Sequence, residues 1–291
     1  MTDNTAKPFL KWVGGKRQLL PSLLPHLQAL GFPNGTWAGR YFEPFLGGGA
    51  VLFAVADVPG FRAVANDYNA ELVTLYRVVK SDPTALYHRL QDAEFAATKD
   101  AHATVRAWDR AADWGTRSAL DRAARFVYLN RASFNGLWRV NAKGHFNVPF
   151  NKAGNLGFPS LNTLTAASIA LTHVELRQGD FEVAVADARP GDLVYLDPPY
   201  IPVSLSANFT GYTDKGFDAG MQDRLATLCD RLTEKGVSWI LSNADVPLAH
   251  ELYGRQPGTV VHRVLAKRAV NRDASNRGPV GEIIAVCPAR R

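Results

Sequence analysis

The stretch GRYFEPFLGGGAVLFAVAD, continued by RAVAND and AELVTLYRVVK, constrains the fold more than any other part of the chain. A strand-like apolar run gives way to consecutive glycines, then to a helical pattern, a second strand and a second helix. Strands linked in this way run parallel through a right-handed crossover, and parallel sheets bury both faces under helices. The same texture returns after Leu161, in HVELRQGDF, DLVYLDPPY, MQDRLATLCDRLTEKG, VSWILSN and EIIAV. The expected fold class is α/β, with a mostly parallel, doubly wound sheet drawn from residues 1–80 and 160–291. Residues 81–159 interrupt it. From Ser81 to Asn130 the chain is rich in Ala, Arg and Asp at helical spacing; from there to Pro159 it is polar, aromatic and rich in Asn and Gly. An inserted module is expected there, helical first and then a β-hairpin.

In open α/β sheets, ligands bind beyond the carboxyl ends of the strands. Gly47, Gly48 and Gly49 stand at one such end, where glycine permits positive φ and close approach of backbone to a ligand. Asp67 closes the next strand at about the ~20-residue spacing that places a carboxylate on ribose hydroxyls in nucleotide-binding folds. The glycines do not spell GxGxxG and no pyrophosphate grip is evident, which favours a nucleoside ligand over a dinucleotide. A tight strand-to-helix connection would account for the glycines equally well. KWVGGKRQLL is no P-loop: Arg17 follows Lys16 where Ser or Thr is required, the first glycine is missing and no strand leads in. Lys16 is instead available to neutralise a small-molecule carboxylate, and Trp12 offers a flat apolar face.

LVYLDPPY carries the most chemistry. A buried strand ends in Asp197, and Pro198 and Pro199 follow with φ fixed and no N–H. The Asp197 carboxylate and the Pro198 carbonyl are then neighbouring acceptors, a match for an amine with two hydrogens to give. Tyr200 supplies a ring for stacking a planar base, worth about 1–3 kcal/mol. The exocyclic amine of a nucleobase is a poor nucleophile, because its lone pair is delocalised into the ring. Two acceptors holding its hydrogens favour a pyramidal nitrogen and offset the positive charge that develops during attack. A proline turn after a core strand is the competing account of these residues.

Further signals point to the substrate. LWRV and HFNV alternate around NAKG, a hairpin pattern with Gly144 at the turn. Such a ribbon fits a DNA major groove, where Arg139 can pair with guanine O6 and N7 and Leu137 can meet a thymine methyl. A solvent-exposed hairpin with no such role has the same pattern. Lys267, Arg268, Arg272 and Arg277 cluster between two strand-like runs, as a solvated loop or as a phosphate-binding one. The formal charge of +6 suits a polyanionic partner without requiring one. Cys229 and Cys287 exclude a disulfide framework and read as reduced core thiols, the histidines show no ligand spacing and no metal is expected. No stretch approaches a membrane span and MTDNTAKPFLKW lacks the layout of a secretory signal, so a cytoplasmic protein without membrane contact is expected.

KWVGGK, FEPFLGGGAVLF, ANDYN, GDF and LVYLDPPY, in this order, together with SFNGLWRVNAKGHFNVPF, SANFTGYTDKGF and WILSNAD, resemble the Dam-type (alpha-class, D12) DNA adenine-N6 methyltransferases. The resemblance spans most of the chain, least over 81–130. It implies a methyltransferase sheet that uses S-adenosylmethionine, with 81–159 as the target-recognition domain. Trp12, Lys16, Phe45, Asp67, Phe181 and Asp197 match positions that contact the methyl donor, with Asp67 on the ribose; Glu43 and Asp180 are weaker candidates, and the turn adds Gly47 and Gly49. Asp197, Pro198 and Tyr200 match the catalytic DPPY. Double-stranded DNA is the implied partner, with transfer to N6 of a flipped-out adenine, in GATC. Asn135, Leu137, Arg139 and Pro149 fall among or beside base-reading positions, Phe134 matches a wedging aromatic and Lys11 a DNA-contacting lysine. With DNA as substrate, Arg268 gains weight as a phosphate ligand. Ala153 departs from the pattern, standing where the family often has tyrosine, so one outer-base contact is missing or made differently. A monomer is expected, and a companion restriction endonuclease is left open. The rivals are an amine methyltransferase for cytosine N4, RNA or a protein amide, and a DNA-binding protein that has lost catalysis.

Overall fold

The computed structural model describes residues 5–32, 37–152, 154–202, 217–267 and 279–289. The strands are β1 (Tyr41–Glu43), β2 (Ala63–Asp67), β3 (Val174–Gln178), β4 (Leu193–Leu196), β5 (Ser238–Ala244), β6 (Val260–Lys267) and β7 (Pro279–Cys287). They form a seven-stranded sheet in the order β3-β2-β1-β4-β5-β7-β6. β1 is parallel to β2 and to β4, with Phe42 opposite Val64 on one side and Val194 on the other. β4 is parallel to β5, whereas β7 is antiparallel to both β5 and β6. The mostly parallel sheet expected from the sequence is therefore present, closed at one end by an antiparallel pair.

The chain divides into two compact units. One comprises Met1–Gly15, Gly47–Asp57 and Asn69–Gln178; the other comprises Lys16–Leu46, Val58–Tyr68 and Gly179–Arg291.

The second unit holds every strand except β3, and its core explains the apolar runs. All four residues of β4 are buried, which is why LVYL is apolar without alternation. Phe42, Val194, Leu196, Trp239, Leu241 and Ile283 pack with Leu225, Leu228, Cys229 and Leu232 of the helix Ala219–Glu234. Those four positions recur at helical spacing, and each leucine contributes about 1.5–3 kcal/mol by burial. Asp218 starts this helix by accepting from the Met221 N–H at 2.9 Å. Cys229 and Cys287 are buried free thiols, as their sequence settings suggested.

The first unit is helical where the sequence between Ser81 and Asn130 predicts helices, in Pro83–Arg89, Lys99–Ala107 and Ala119–Ala132. The last carries a buried Arg125, whose guanidinium meets Asp109 at 2.7 Å and also donates to the carbonyls of Val105 and Arg106. A buried cation so far from water needs these partners. Phe126 of the same helix lies against Trp138 at 3.8 Å between centroids, and Trp138 against Phe146 at 4.9 Å, so the hairpin is anchored through its apolar face. The hairpin itself is short. Val140 and Phe146 form one antiparallel bridge, and the Asn141 carbonyl accepts from Gly144, whose φ is +79°.

Candidate active site

β1 has β2 on one side and β4 on the other, so the strand order reverses there, and open α/β sheets bind ligands beyond the carboxyl ends at such a point. The second unit brings most of the predicted catalytic and cofactor-binding residues to these ends. Asn66 ties them together, donating to the carbonyls of Pro44 at 3.0 Å and Gly179 at 3.1 Å. Asp67, half-buried at the end of β2, accepts from the Gly179 N–H through its own carbonyl at 3.1 Å. Phe45, two residues beyond β1, stacks on Phe181 with centroids 5.3 Å apart. Phe217 completes an aromatic trio, 5.6 Å from Phe45 and 5.8 Å from Phe181. Asp180 caps the short helix Phe181–Ala184 and meets Arg224 at 3.0 Å, and the buried Glu43 accepts from the Tyr41 hydroxyl at 2.7 Å.

Asp197 is held from two sides. Lys16 Nζ lies 2.8 Å from its Oδ1, and the Ser242 hydroxyl donates to the same oxygen at 3.1 Å. Since Ser242 spends its hydrogen on a carboxylate, the Tyr195 hydroxyl 3.0 Å away is the donor to Ser242. Removal from water pushes the Asp197 carboxyl above the ordinary aspartate value, and Lys16 and the Ser242 hydrogen bond oppose that shift. Lys16 also sits 4.5 Å from the centroid of the Tyr200 ring. The Tyr200 hydroxyl donates to Glu282 of β7 at 2.9 Å, and burial raises its pKa well above that of free tyrosine. Pro198 is buried and Pro199 exposed. Ser242, Glu282 and Tyr195 were not singled out from the sequence. The only available signal was the neighbourhood of Ser242 in WILSNAD.

The first unit supplies the glycine turn and the hairpin. Gly47 and Gly49 adopt φ of +48° and +67°. A Cβ on Gly47 would fall 2.6 Å from Trp12 Nε1, and one on Gly48 2.9 Å from Trp12 Cβ. The glycines are thus required both by backbone conformation and by the indole lying on them. Trp12 in turn stacks on Phe126 at 6.2 Å.

Lys11, Phe134 and Pro149 are brought together by backbone contacts. Asn130 accepts from the Lys11 N–H at 2.9 Å and donates to the carbonyls of Lys11 and Gly136, at 2.6 and 3.0 Å. The Phe134 N–H donates to the Pro149 carbonyl at 3.0 Å. Phe134 is 49% exposed, an unusual setting for a large ring, and Asn135 beside it is left-handed at φ +55°. Leu137 is half-buried. Arg139 is exposed and donates through Nε to Asn147 Oδ1 at 2.7 Å. Arg268 and Ala153 lie outside the described residues. Among the described residues no cluster of His, Cys, Asp and Glu could hold a metal, and no helix is long and apolar enough to cross a membrane.

Comparison with known proteins decides the family. Residues 12–270 match the profile of the D12 class N6 adenine-specific DNA methyltransferases. The chain belongs to that family. This adenine-specific DNA methyltransferase is 41% identical to the Type II methyltransferase M1.LlaDCHI of Lactococcus lactis subsp. cremoris, over 96% of this chain and 94% of that protein. It is 35% identical to the Type II methyltransferase M.MjaIII of Methanocaldococcus jannaschii, over 93% and 95%. It is 31% identical to the DNA adenine methylase of Escherichia coli K12, over 96% and 95%. The methyltransferase thus aligns with each along nearly its whole length.

Proposed function

We propose that this methyltransferase moves a methyl group from S-adenosylmethionine to N6 of an adenine flipped out of duplex DNA, within GATC. The observation that carries this reading is the Asp197 carboxylate at the carboxyl end of β4, next to the β1/β4 switch point and followed by Pro198, Pro199 and Tyr200.

The residues present fit the donor. The glycine turn has no room for side chains. Asp67 is a carboxylate able to accept from two vicinal hydroxyls, and Phe45 and Phe181 offer apolar ring faces. We assign Trp12, Lys16, Phe45 and Phe181, the turn at Gly47 and Gly49, and the carboxylates Asp67 and Asp197 to holding it. Once bound, the donor supplies an electrophilic methyl on a sulfonium sulfur. Asp197 and the Pro198 carbonyl accept the two amine hydrogens, which draws the nitrogen lone pair out of conjugation and towards attack. The Asp197 charge offsets the positive charge that grows on nitrogen, and the amine then loses a proton. Tyr200 receives the base by stacking.

Target choice falls to residues 81–159, with 1–80 and 160–291 catalytic. Phe134 wedges into the base stack, Asn135, Leu137, Arg139 and Pro149 read or border the bases, and Lys11 and Arg268 hold DNA. The protein acts as a cytoplasmic monomer. The Type II names of the Lactococcus and Methanocaldococcus relatives support a restriction-modification setting with a companion endonuclease. Methylation-sensitive sequencing of DNA from a methylase-free host expressing the protein tests the whole reading. N6-methyladenine in GATC is expected; modified cytosine, or adenine methylated in another context, overturns it.

Lys16 gives a pH-dependent check. Protonation of Asp197 removes the charge that offsets the cation developing on nitrogen, so the methyl-transfer rate falls as pH drops through its raised pKa. Lys16 is the largest influence holding that pKa down. With donor saturating, Lys16→Met is expected to move the acid limb of the pH–rate profile to higher pH. A limb left in place, or moved down, contradicts the pairing.

A further inference from the structure

The segment that follows Asp197 is gripped by two buried amides. Gln222, 3% exposed on the helix Ala219–Glu234, donates Nε2 to the Pro199 carbonyl at 2.9 Å. Its Oε1 accepts from the Tyr253 hydroxyl. Asn243 at the end of β5 accepts from the Ile201 N–H at 2.9 Å. Burial raises the Tyr253 pKa far beyond physiological pH, so its hydroxyl remains a donor. A donor on Oε1 settles which way the amide faces, and Nε2 is left for a carbonyl, which can only accept.

The consequence lies one residue upstream. Gln222 takes the carbonyl of Pro199, not that of Pro198. Consecutive prolines have no free φ, so fixing the plane of one carbonyl restricts the other. We propose that Gln222, oriented by Tyr253, is a positioning residue for methyl transfer, clamping the Pro199 carbonyl so that the Pro198 carbonyl stays aimed at the substrate amine. This inference rests on the reading of Asp197 and Pro198 as the amine acceptors.

Gln222→Glu keeps the shape and removes the donor, and Tyr253→Phe keeps the ring and removes the orienting hydroxyl. Both are to be compared with Asp197→Ala in single-turnover methyl transfer to duplex DNA, alongside dissociation constants for S-adenosylmethionine and DNA and a thermal midpoint. At pH 8, Gln222→Glu is expected to slow transfer by about 10²-fold, the scale of an ångström of misplacement, with both dissociation constants unchanged. Relative to wild type, its rate should recover as pH falls, because a protonated carboxyl again donates to Pro199. A group with only a structural role would not narrow the gap in that way. Tyr253→Phe should slow transfer by about tenfold, on the order of one lost hydrogen bond. If Gln222→Glu does not fold, Tyr253→Phe decides alone. Wild-type rates in the variants that fold, or losses that merely track lost binding or lost folded protein, overturn the proposal. If Asp197→Ala itself retains activity, the acceptor reading fails first. If only Asp197→Ala is impaired, that reading stands and the role of Gln222 falls.

Discussion

Asp197→Ala is expected to reduce the rate of methyl transfer at least ~10²-fold, the scale of losing one preorganised contact to the developing charge. The substitution removes an acceptor for an amine hydrogen together with the negative charge nearest the proposed reacting nitrogen. Both act more strongly in the transition state than on the bound base, so the loss should appear in turnover more than in KM. Asp197→Asn keeps a neutral carbonyl acceptor and should fall between wild type and alanine. A control is built into the site. Lys16, whose side chain is 9% exposed, would lose the Asp197 carboxylate 2.8 Å away, and breaking one buried ion pair is destabilising. The thermal midpoint must therefore be followed beside the rate. A well-folded alanine variant with a near-wild-type rate would remove Asp197 from the chemistry.

Arg139→Ala is expected to relax discrimination at a single guanine of the target by about 1–3 kcal/mol, roughly five- to 150-fold in relative rate. The geometry of the free protein is suited to that role. Asn147 holds Arg139 through Nε at 2.7 Å and through Nη2 to its carbonyl at 3.5 Å, which orients the guanidinium fork before O6 and N7 are met. Asn147→Ala should then blunt the same discrimination to a smaller degree, by releasing the side chain without removing it. The measurement is competitive methylation of duplexes carrying every single-base change in the site. A uniform loss across all sequences would instead mark Arg139 as a backbone contact.

The residues most readable from sequence were those whose meaning is local. The glycine turn after β1, the acid that ends β2 and the double proline after β4 announce themselves within a few positions, because turn chemistry and strand ends are short-range. The parallel pairing of β1, β2, β4 and β5 agrees with the mostly parallel sheet that the same alternation predicts, although their order in the sheet was not legible. What supports those residues comes from far away. Tyr200 and Glu282 are 82 positions apart, Asp197 and Ser242 45, and Pro199 and Gln222 23. Each partner is an ordinary polar residue in an otherwise apolar pattern, and only the sheet register shows what it faces. Trp12 illustrates the same limit. As a flat apolar face it was legible, but its packing against the glycine turn was not. Lys16 was read as a counter-charge for a ligand, and its ion pair with Asp197 adds a second partner that no spacing rule would indicate.

The placing of β7 between β5 and β6 has a kinetic consequence. Among the described residues β6 pairs only with β7, so the eight residues Val260–Lys267 have no berth in the sheet until the later strand has entered. The antiparallel β6–β7 pair is sequence-local, whereas the β5–β7 ladder closes a longer loop, and contacts between near neighbours form sooner. The two strands should therefore dock together as a preformed flap onto the exposed edge of β5. Glu282, opposite Ala244 in that ladder, arrives with the flap. During synthesis the Asp197 strand can be in place while Tyr200 still lacks its bond to Glu282. On this account, competence to methylate is gained late, in one step, when the sheet is sealed.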